Sequence, residues 1–148
     1  MLISTSMFGE IDVPEDQVYD FPKGIPGFED ERRFALISEE DSPFIYMQSL
    51  KNRDLAFVVT DPFSFYPDYE FELPDSEAEE LGIGDELSVK CIITVREKIE
   101  DSTVNLLAPL VFNLKDRIAK QIVLHKVPYQ TRHLLWEQTE GLNEKEGV

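Results

Sequence analysis

Residues 87–95 alternate in polarity with a period of two, and this pattern constrains the fold more than any other stretch of the chain. Leu87, Val89, Cys91, Ile93 and Val95 fall on one face, Ser88, Lys90, Thr94 and Arg96 on the other, with Ile92 as the exception. Strand side chains point alternately to the two faces of a sheet, so the pattern demands a strand with one face on a core. Shorter stretches repeat it. Tyr69, Phe71 and Leu73 oppose Glu70 and Glu72, and Ile118, Ile122 and Leu124 oppose Arg117, Gln121 and His125. Residues 44–50, 55–60 and 104–114 are β-rich apolar runs bounded by turn residues.

Turn signals are as frequent as the strands. Pro22–Gly27 (PKGIPG) cannot lie inside a helix, because proline removes a donor and glycine favours open conformations. Asp61-Pro62 and Tyr66-Pro67 bracket an aromatic loop, and Ile83–Glu86 reads as a turn into the next strand. The expectation is an all-β, mostly antiparallel fold, a small barrel-like or sandwich single domain with one or two short helices. The first helix is Asp75–Leu81, with Ser76 and Glu79 at capping-box spacing, Pro74 before it and Gly82 to stop it. A second is expected around Thr131–Gln138. The domain spans residues 1–138, and the polar stretch 139–148 is expected to fray.

Hydrophobic residues make up 42% of the 148-residue chain, enough for a core, and ten Phe and five Tyr supply its bulk. Cys91 is the single cysteine, which rules out an internal disulfide, and its place in a strand makes it a small buried hydrophobe. The opening MLISTSMFGE lacks a basic region followed by a long apolar one, and no apolar run approaches the ~20 residues that span a bilayer. A cytoplasmic protein without a membrane partner is expected.

Charge is distributed unevenly. Residues 1–86 carry 22 acids and 5 bases, whereas residues 87–148 carry 8 acids and 9 bases. Such a surface repels phosphates and attracts basic proteins. Asp68–Glu86 holds nine acids and no base: Asp68, Glu70, Glu72, Asp75, Glu77, Glu79, Glu80, Asp85 and Glu86. A plain solubilising face is one reading, and a docking face for a basic partner is the other. Ordinary solvated faces intersperse both signs, which favours docking. Next to it, Asp61–Tyr69 (DPFSFYPDY) packs four aromatics into nine residues. Phe63 and Phe65 are expected to fold back as core plugs. Aromatic rings also anchor interfaces, so Phe65 and Tyr66 join Asp68, Glu70, Glu72, Asp75, Glu77, Glu79 and Glu80 as candidate protein-binding residues.

The catalytic constellations are missing. His125, at the end of a strand, and His133 are eight residues apart and match no HExxH spacing; no serine sits in a GxSxG elbow. The acids around Asp75 lack EF-hand spacing, and GIPG lacks the lysine of a phosphate-binding loop. Lys115, Arg117, Lys120 and Lys126 alternate with acids or apolar residues, as on a solvated strand edge rather than a nucleic-acid stripe. No enzyme activity, metal, cofactor or direct nucleic-acid binding is expected. A carboxylate-based metal-dependent hydrolase is the reading from another class, and divalent-metal binding would revive it.

Four collinear segments carry a resemblance. FPKGIPGFEDERRFAL (Phe21–Leu36), MQSLKNRDLAFVVTDPFSFYPDYEFEL (Met47–Leu73), VNLLAPLVFNLKDRIAKQIVL (Val104–Leu124) and YQTRHLL (Tyr129–Leu135) are similar to the FliW family of flagellar assembly factors. The resemblance implies a small β-rich, barrel-like cytoplasmic protein that binds flagellin and the RNA-binding translational regulator CsrA. Its capture of CsrA, away from the RNA-binding surface, lifts repression of flagellin mRNA translation. The alternatives are a secretion chaperone for flagellin alone and a nucleic-acid mimic that blocks the RNA site directly. No short motif says which residues touch which partner.

Overall fold

A computed structural model describes residues 1–82, 84 and 86–136. The chain opens with the hairpin β1 (Leu2–Thr5) and β2 (Gly9–Asp12). There follow β3 (Val18–Asp20), β4 (Arg33–Ser38), β5 (Phe44–Ser49), β6 (Ala56–Thr60), helix α1 (Asp75–Leu81), β7 (Leu87–Thr94), β8 (Thr103–Val104), β9 (Leu110–Asn113), β10 (Ile118–Gln121) and β11 (His133–Leu134). Seven of these strands close into a barrel in the order β7-β6-β5-β4-β3-β10-β9, with β9 pairing back onto β7. Every pairing is antiparallel except β3–β10, where Ile118 sits opposite Asp20. Outside the ring, β8 and β11 extend the sheet from the far half of β7.

The length of β7 makes this possible. Leu87–Lys90 pair with Leu110–Asn113 of β9, and Ile93–Thr94 pair with Thr103–Val104 of β8 on the same side. The apolar run 104–114 is therefore two strands. The break is made by Asn105, whose Oδ1 accepts from the N–H groups of Leu107 at 3.1 Å and Ala108 at 3.0 Å. An Asx turn of this kind offers the backbone an alternative to the ladder.

Both faces of β7 are used. Its odd residues Cys91 and Ile93 pack outward onto Tyr69, Val104, Leu106 and Leu135. Its even residues face the barrel interior, where Ile92 packs against a core built from Tyr19, Phe21, Phe34, Met47, Val59, Leu110 and Phe112. Small barrels fill their interior with side chains, and this one follows that rule. The sequence exception at Ile92 is thereby explained. Leu87 and Val95, placed by periodicity on the core face, are exposed because they lie at and beyond the strand ends.

Helix α1 covers a separate apolar cluster at the barrel wall, with Leu81 against Val111, Ile122 and Leu124. Its bounds match those expected, but the capping box does not form. The helix begins directly after Pro74, so Ser76 already lies inside the first turn and no side chain caps the N-terminus. Gly82 ends it at φ 63°, its N–H bonding the carbonyls of Ala78 and Glu79. Gly24 is more tightly held: at φ 66°, a Cβ there would meet the backbone oxygen of Glu29 at 2.6 Å.

Three other expectations are corrected. Residues 69–73 belong to no strand; their burial alternates because Tyr69 and Phe71 pack onto the outer core while Glu70 and Glu72 face solvent. In place of a helix at 131–136, His133–Leu134 form β11 on the free edge of β8, followed by a turn. Leu134, Leu135 and Trp136 are too clustered for a helical stripe, whereas β8 offers unpaired backbone groups. Residues 137–138 of that helix and the tail 139–148 lie outside the described residues. Finally, β10 is not an edge, since β3 and β9 flank it on both sides.

Candidate functional site

The aromatic loop is tied down at its start by Asp61, whose carboxylate accepts from the Phe63 N–H at 2.9 Å and caps a short 3-10 turn over Pro62–Ser64. Phe65 then turns inward, stacked on Phe44 with ring centroids 6.2 Å apart and edge-on to Trp136. The Tyr66 hydroxyl donates to the carbonyl of Leu134. Tyr69 is buried; its hydroxyl donates to the Leu106 carbonyl at 2.8 Å, and its ring meets Tyr129 at 4.7 Å. The loop is thus clamped onto β11 and the 105–107 turn. Phe65 is a core plug as expected, but Phe63 is 42% exposed and meets only the rim of the cluster at Tyr69. Phe65 and Tyr66, proposed as recognition residues, are half-buried with one side already engaged.

From this clamp the chain runs extended through 70–74 into α1. Asp68, Glu70, Glu72, Asp75, Glu79 and Glu80 are exposed, and Glu77 is half-buried. The run is not uniformly unneutralised, as the sequence had implied. Lys120 on β10 reaches across to Glu77 at 2.8 Å and Glu80 at 2.9 Å, and Lys23 meets Glu80 at 2.6 Å. No signal inside the acid run could reveal these partners, because topology brings them from 40 and more residues away. Among the described residues, Asp68, Glu70, Glu72, Asp75 and Glu79 have no base at ion-pairing distance. Asp85 lies outside the described residues. Glu72 and Asp75 help line a groove of about 530 Å³ between the segments 71–75 and 123–127, together with Phe71, Leu73 and Leu124.

The paired acids have a pH signature. Hydrogen bonds from Lys23 and Lys120 hold the Glu80 carboxyl below the usual carboxylate range. Partial burial opposes the Lys120 charge, yet the carboxylates of Glu77 and Glu80 prevail and hold its ammonium above the ordinary lysine value. A depressed carboxyl stabilises above its unfolded pKa and loses that contribution as pH falls through the folded one. A raised lysine stabilises below its unfolded pKa and loses that contribution as pH rises through the folded one. The cluster therefore stabilises from mildly acidic to mildly alkaline pH. Lys120→Met is expected to melt below the parent at pH 7 by a few degrees at most, as suits a screened ion pair. The gap should close at pH 3, and thermal melts at the two pH values check it; a gap unchanged at pH 3 would assign the effect to packing.

Other candidate chemistry is absorbed into structure. Burial pushes the Cys91 thiol up to about 12, which leaves it protonated and unreactive. The His133 Nε2 accepts from the Gln130 N–H at 2.8 Å. His125 is exposed, four residues past the end of β10 rather than at it. Among the described residues, no group of three or more His, Cys, Asp or Glu could hold a metal ion, and no helix is long and apolar enough to cross a membrane.

The model of the FliW protein family matches residues 2–135, which takes in every strand, the loop and the acidic helix. The chain belongs to the FliW family. It is 47% identical over 150 residues to the flagellar assembly factor FliW of Desulfitobacterium hafniense (strain Y51), covering 99% of each chain. It is 44% identical over 136 residues to that of Bacillus subtilis (strain 168), covering 90% of this chain and 95% of that one. A crystal structure of the flagellar assembly factor FliW superposes with a TM-score of 0.86 at 38% identity, over 93% of this chain and 99% of the other. These relatives carry the name flagellar assembly factor. The all-β barrel and the family resemblance read from the sequence are both correct.

Proposed function

We propose that this FliW chain acts in the cytoplasm as a switch between two protein partners, flagellin and the regulator CsrA. It binds CsrA through protein–protein contacts and so relieves repression of flagellin mRNA translation; flagellin competes for it and restores repression. The observation that carries the reading is family membership across nearly the whole described chain, joined to a surface with five acids that have no base at ion-pairing distance among the described residues. An RNA-binding regulator carries positive charge to meet phosphates. An acidic binder is steered towards such a protein and away from RNA itself. The docking surface is assigned to the aromatic clamp and acidic ledge: Phe65, Tyr66, Asp68, Glu70, Glu72, Asp75, Glu77, Glu79 and Glu80. Glu77 and Glu80 act there chiefly through their ion pairs with Lys120 and Lys23, which hold α1 against the barrel.

Calorimetry with purified partners tests this. The protein is expected to bind CsrA in the absence of flagellin, and flagellin is expected to displace CsrA. Binding to flagellin with none to CsrA would replace the switch with a secretion chaperone. If bound RNA and this protein coexist on one CsrA dimer, mimicry is excluded, and if CsrA then holds flagellin mRNA as tightly as it does alone, antagonism is refuted.

A further inference from the structure

One end of the barrel opens into a cavity of about 270 Å³, lined by residues other than those of the acidic ledge and built from β3, β4, β5, β7 and β9. Its unusual member is Lys90. Residues directly opposite in an antiparallel pair share a face, and Lys90 sits opposite Leu110, as Ser88 sits opposite Phe112, both partners being interior core residues. Lys90 therefore projects from the inner face of β7 into the barrel mouth, where it is half-buried. Its Nζ donates to the Ser88 Oγ at 3.3 Å, and none of the ion pairs among the described residues includes it. Burial pushes it below the ordinary lysine value against the pull of Asp61. Asp61 attracts it from beyond ion-pairing distance, and its Oδ1 accepts from the Phe63 N–H.

A partly desolvated ammonium with one long hydrogen bond is costly unless a partner meets it. The surroundings define that partner. The walls are apolar where Leu36, Ile45 and Phe112 line them, and the exposed Leu114 stands at the rim. Tyr19, Gln17 and Ser38 add neutral hydrogen-bonding groups. The charges acting on the mouth from neighbouring elements are Asp61 on Lys90, and Asp16 and Arg117 on Tyr19. Lys90 is the one cation among the lining residues, and around it two acids, Asp61 and Asp16, stand against one further base, Arg117; this balance disfavours a dianion such as phosphate and suits a monoanion with an apolar body. We propose that the barrel mouth is a binding site for a small monocarboxylate with a short apolar chain, its carboxylate received by Lys90 and Ser88 and its chain by Leu36 and Ile45, over the buried Phe112. Small ligands commonly occupy barrel mouths, and the mixed lining here, with polar groups beside Leu36 and Ile45, matches a ligand that is polar at one end only.

Hexanoate is the probe, titrated into the full chain and followed by amide NMR. Saturable shifts are expected at Ser88, Lys90 and Phe112, with hexanol at least tenfold weaker. Lys90→Met keeps the apolar stem and should weaken hexanoate at least tenfold, whereas Lys90→Arg should retain it within about threefold. Equal binding of hexanoate and hexanol, no saturable shift, or undiminished binding by Lys90→Met would overturn the site. Should Lys90→Met fail to fold, the comparison of hexanoate with hexanol on the parent chain decides alone. Binding of a peptide with a free carboxyl terminus where hexanoate fails would overturn the small-molecule assignment.

Discussion

Phe112→Ala is expected to lower the unfolding free energy by about 4 kcal/mol, within the range of roughly 3–5 kcal/mol for deleting a fully buried aromatic ring. Phe112 is 0% exposed and sits on the inner face of β9. Its ring meets Tyr19 edge-on at 5.1 Å and Phe21 at 5.9 Å, and Phe21 in turn meets Phe34 at 5.3 Å. One truncation thus removes the middle of an aromatic chain that links β3, β4 and β9 across the interior. The closed barrel cannot collapse onto the void, because seven strands hold its walls apart. Phe63→Ala is the comparison: at 42% exposure that ring should cost less than about 1 kcal/mol. Urea denaturation measures both. Trp136, the only tryptophan, packs in the outer core against Phe65, so its fluorescence reports a region remote from Phe112. Coincidence of that signal with far-UV circular dichroism would show that the two cores unfold together. A loss below about 2 kcal/mol for Phe112→Ala would mean that the barrel repacks.

The segments most legible in the sequence were those whose stability is local or whose periodicity is complete. Helix α1 was read at its true ends because Pro74 and Gly82 act within a few residues of themselves. The strand at 87–94 was read from its alternation, but its two faces were misjudged. Periodicity says that a strand has two faces and assumes that the polar one is wet. In a barrel with a second layer outside it, the apolar face of β7 meets the outer core, and the face with Ser88 and Lys90 closes the barrel interior. Only Ile92 hinted at this. What stayed illegible depends on distant chain. A β-strand of two residues, such as β11, exists because β8 has a free edge, and nothing in His133–Leu134 announces it. The acidic run read as unbroken because Lys23 and Lys120 come from elsewhere in the sequence. The candidate site was thus legible in composition and only partly in electrostatics.

That distinction decides which acids should matter for binding. Reversing Glu70, Glu72, Asp75 and Glu79 to Lys is expected to weaken CsrA binding on the order of a hundredfold at low salt, about 2.7 kcal/mol. All four are exposed and have no base at ion-pairing distance among the described residues, so their field is free to act on a partner. Glu77 and Glu80 are left intact on purpose. Reversing Glu80 would set a third ammonium beside Lys23 and Lys120 and loosen α1, confusing lost docking with lost structure. Long-range attraction is screened over roughly 10 Å at 0.1 M salt, so the loss should shrink as ionic strength rises and appear mainly in the association rate. Four reversals take the formal charge from −16 to −8, and this alone would weaken attraction to any basic protein. Reversing Glu10, Glu15, Glu39 and Glu40, which are exposed and lie elsewhere in the sequence, makes the same change in net charge. If the ledge is the docking face, the first variant loses affinity far more than the second. Equal losses would reduce the ledge to its contribution to net charge, and unchanged affinity with an unchanged salt slope in the first variant would remove it from the interface.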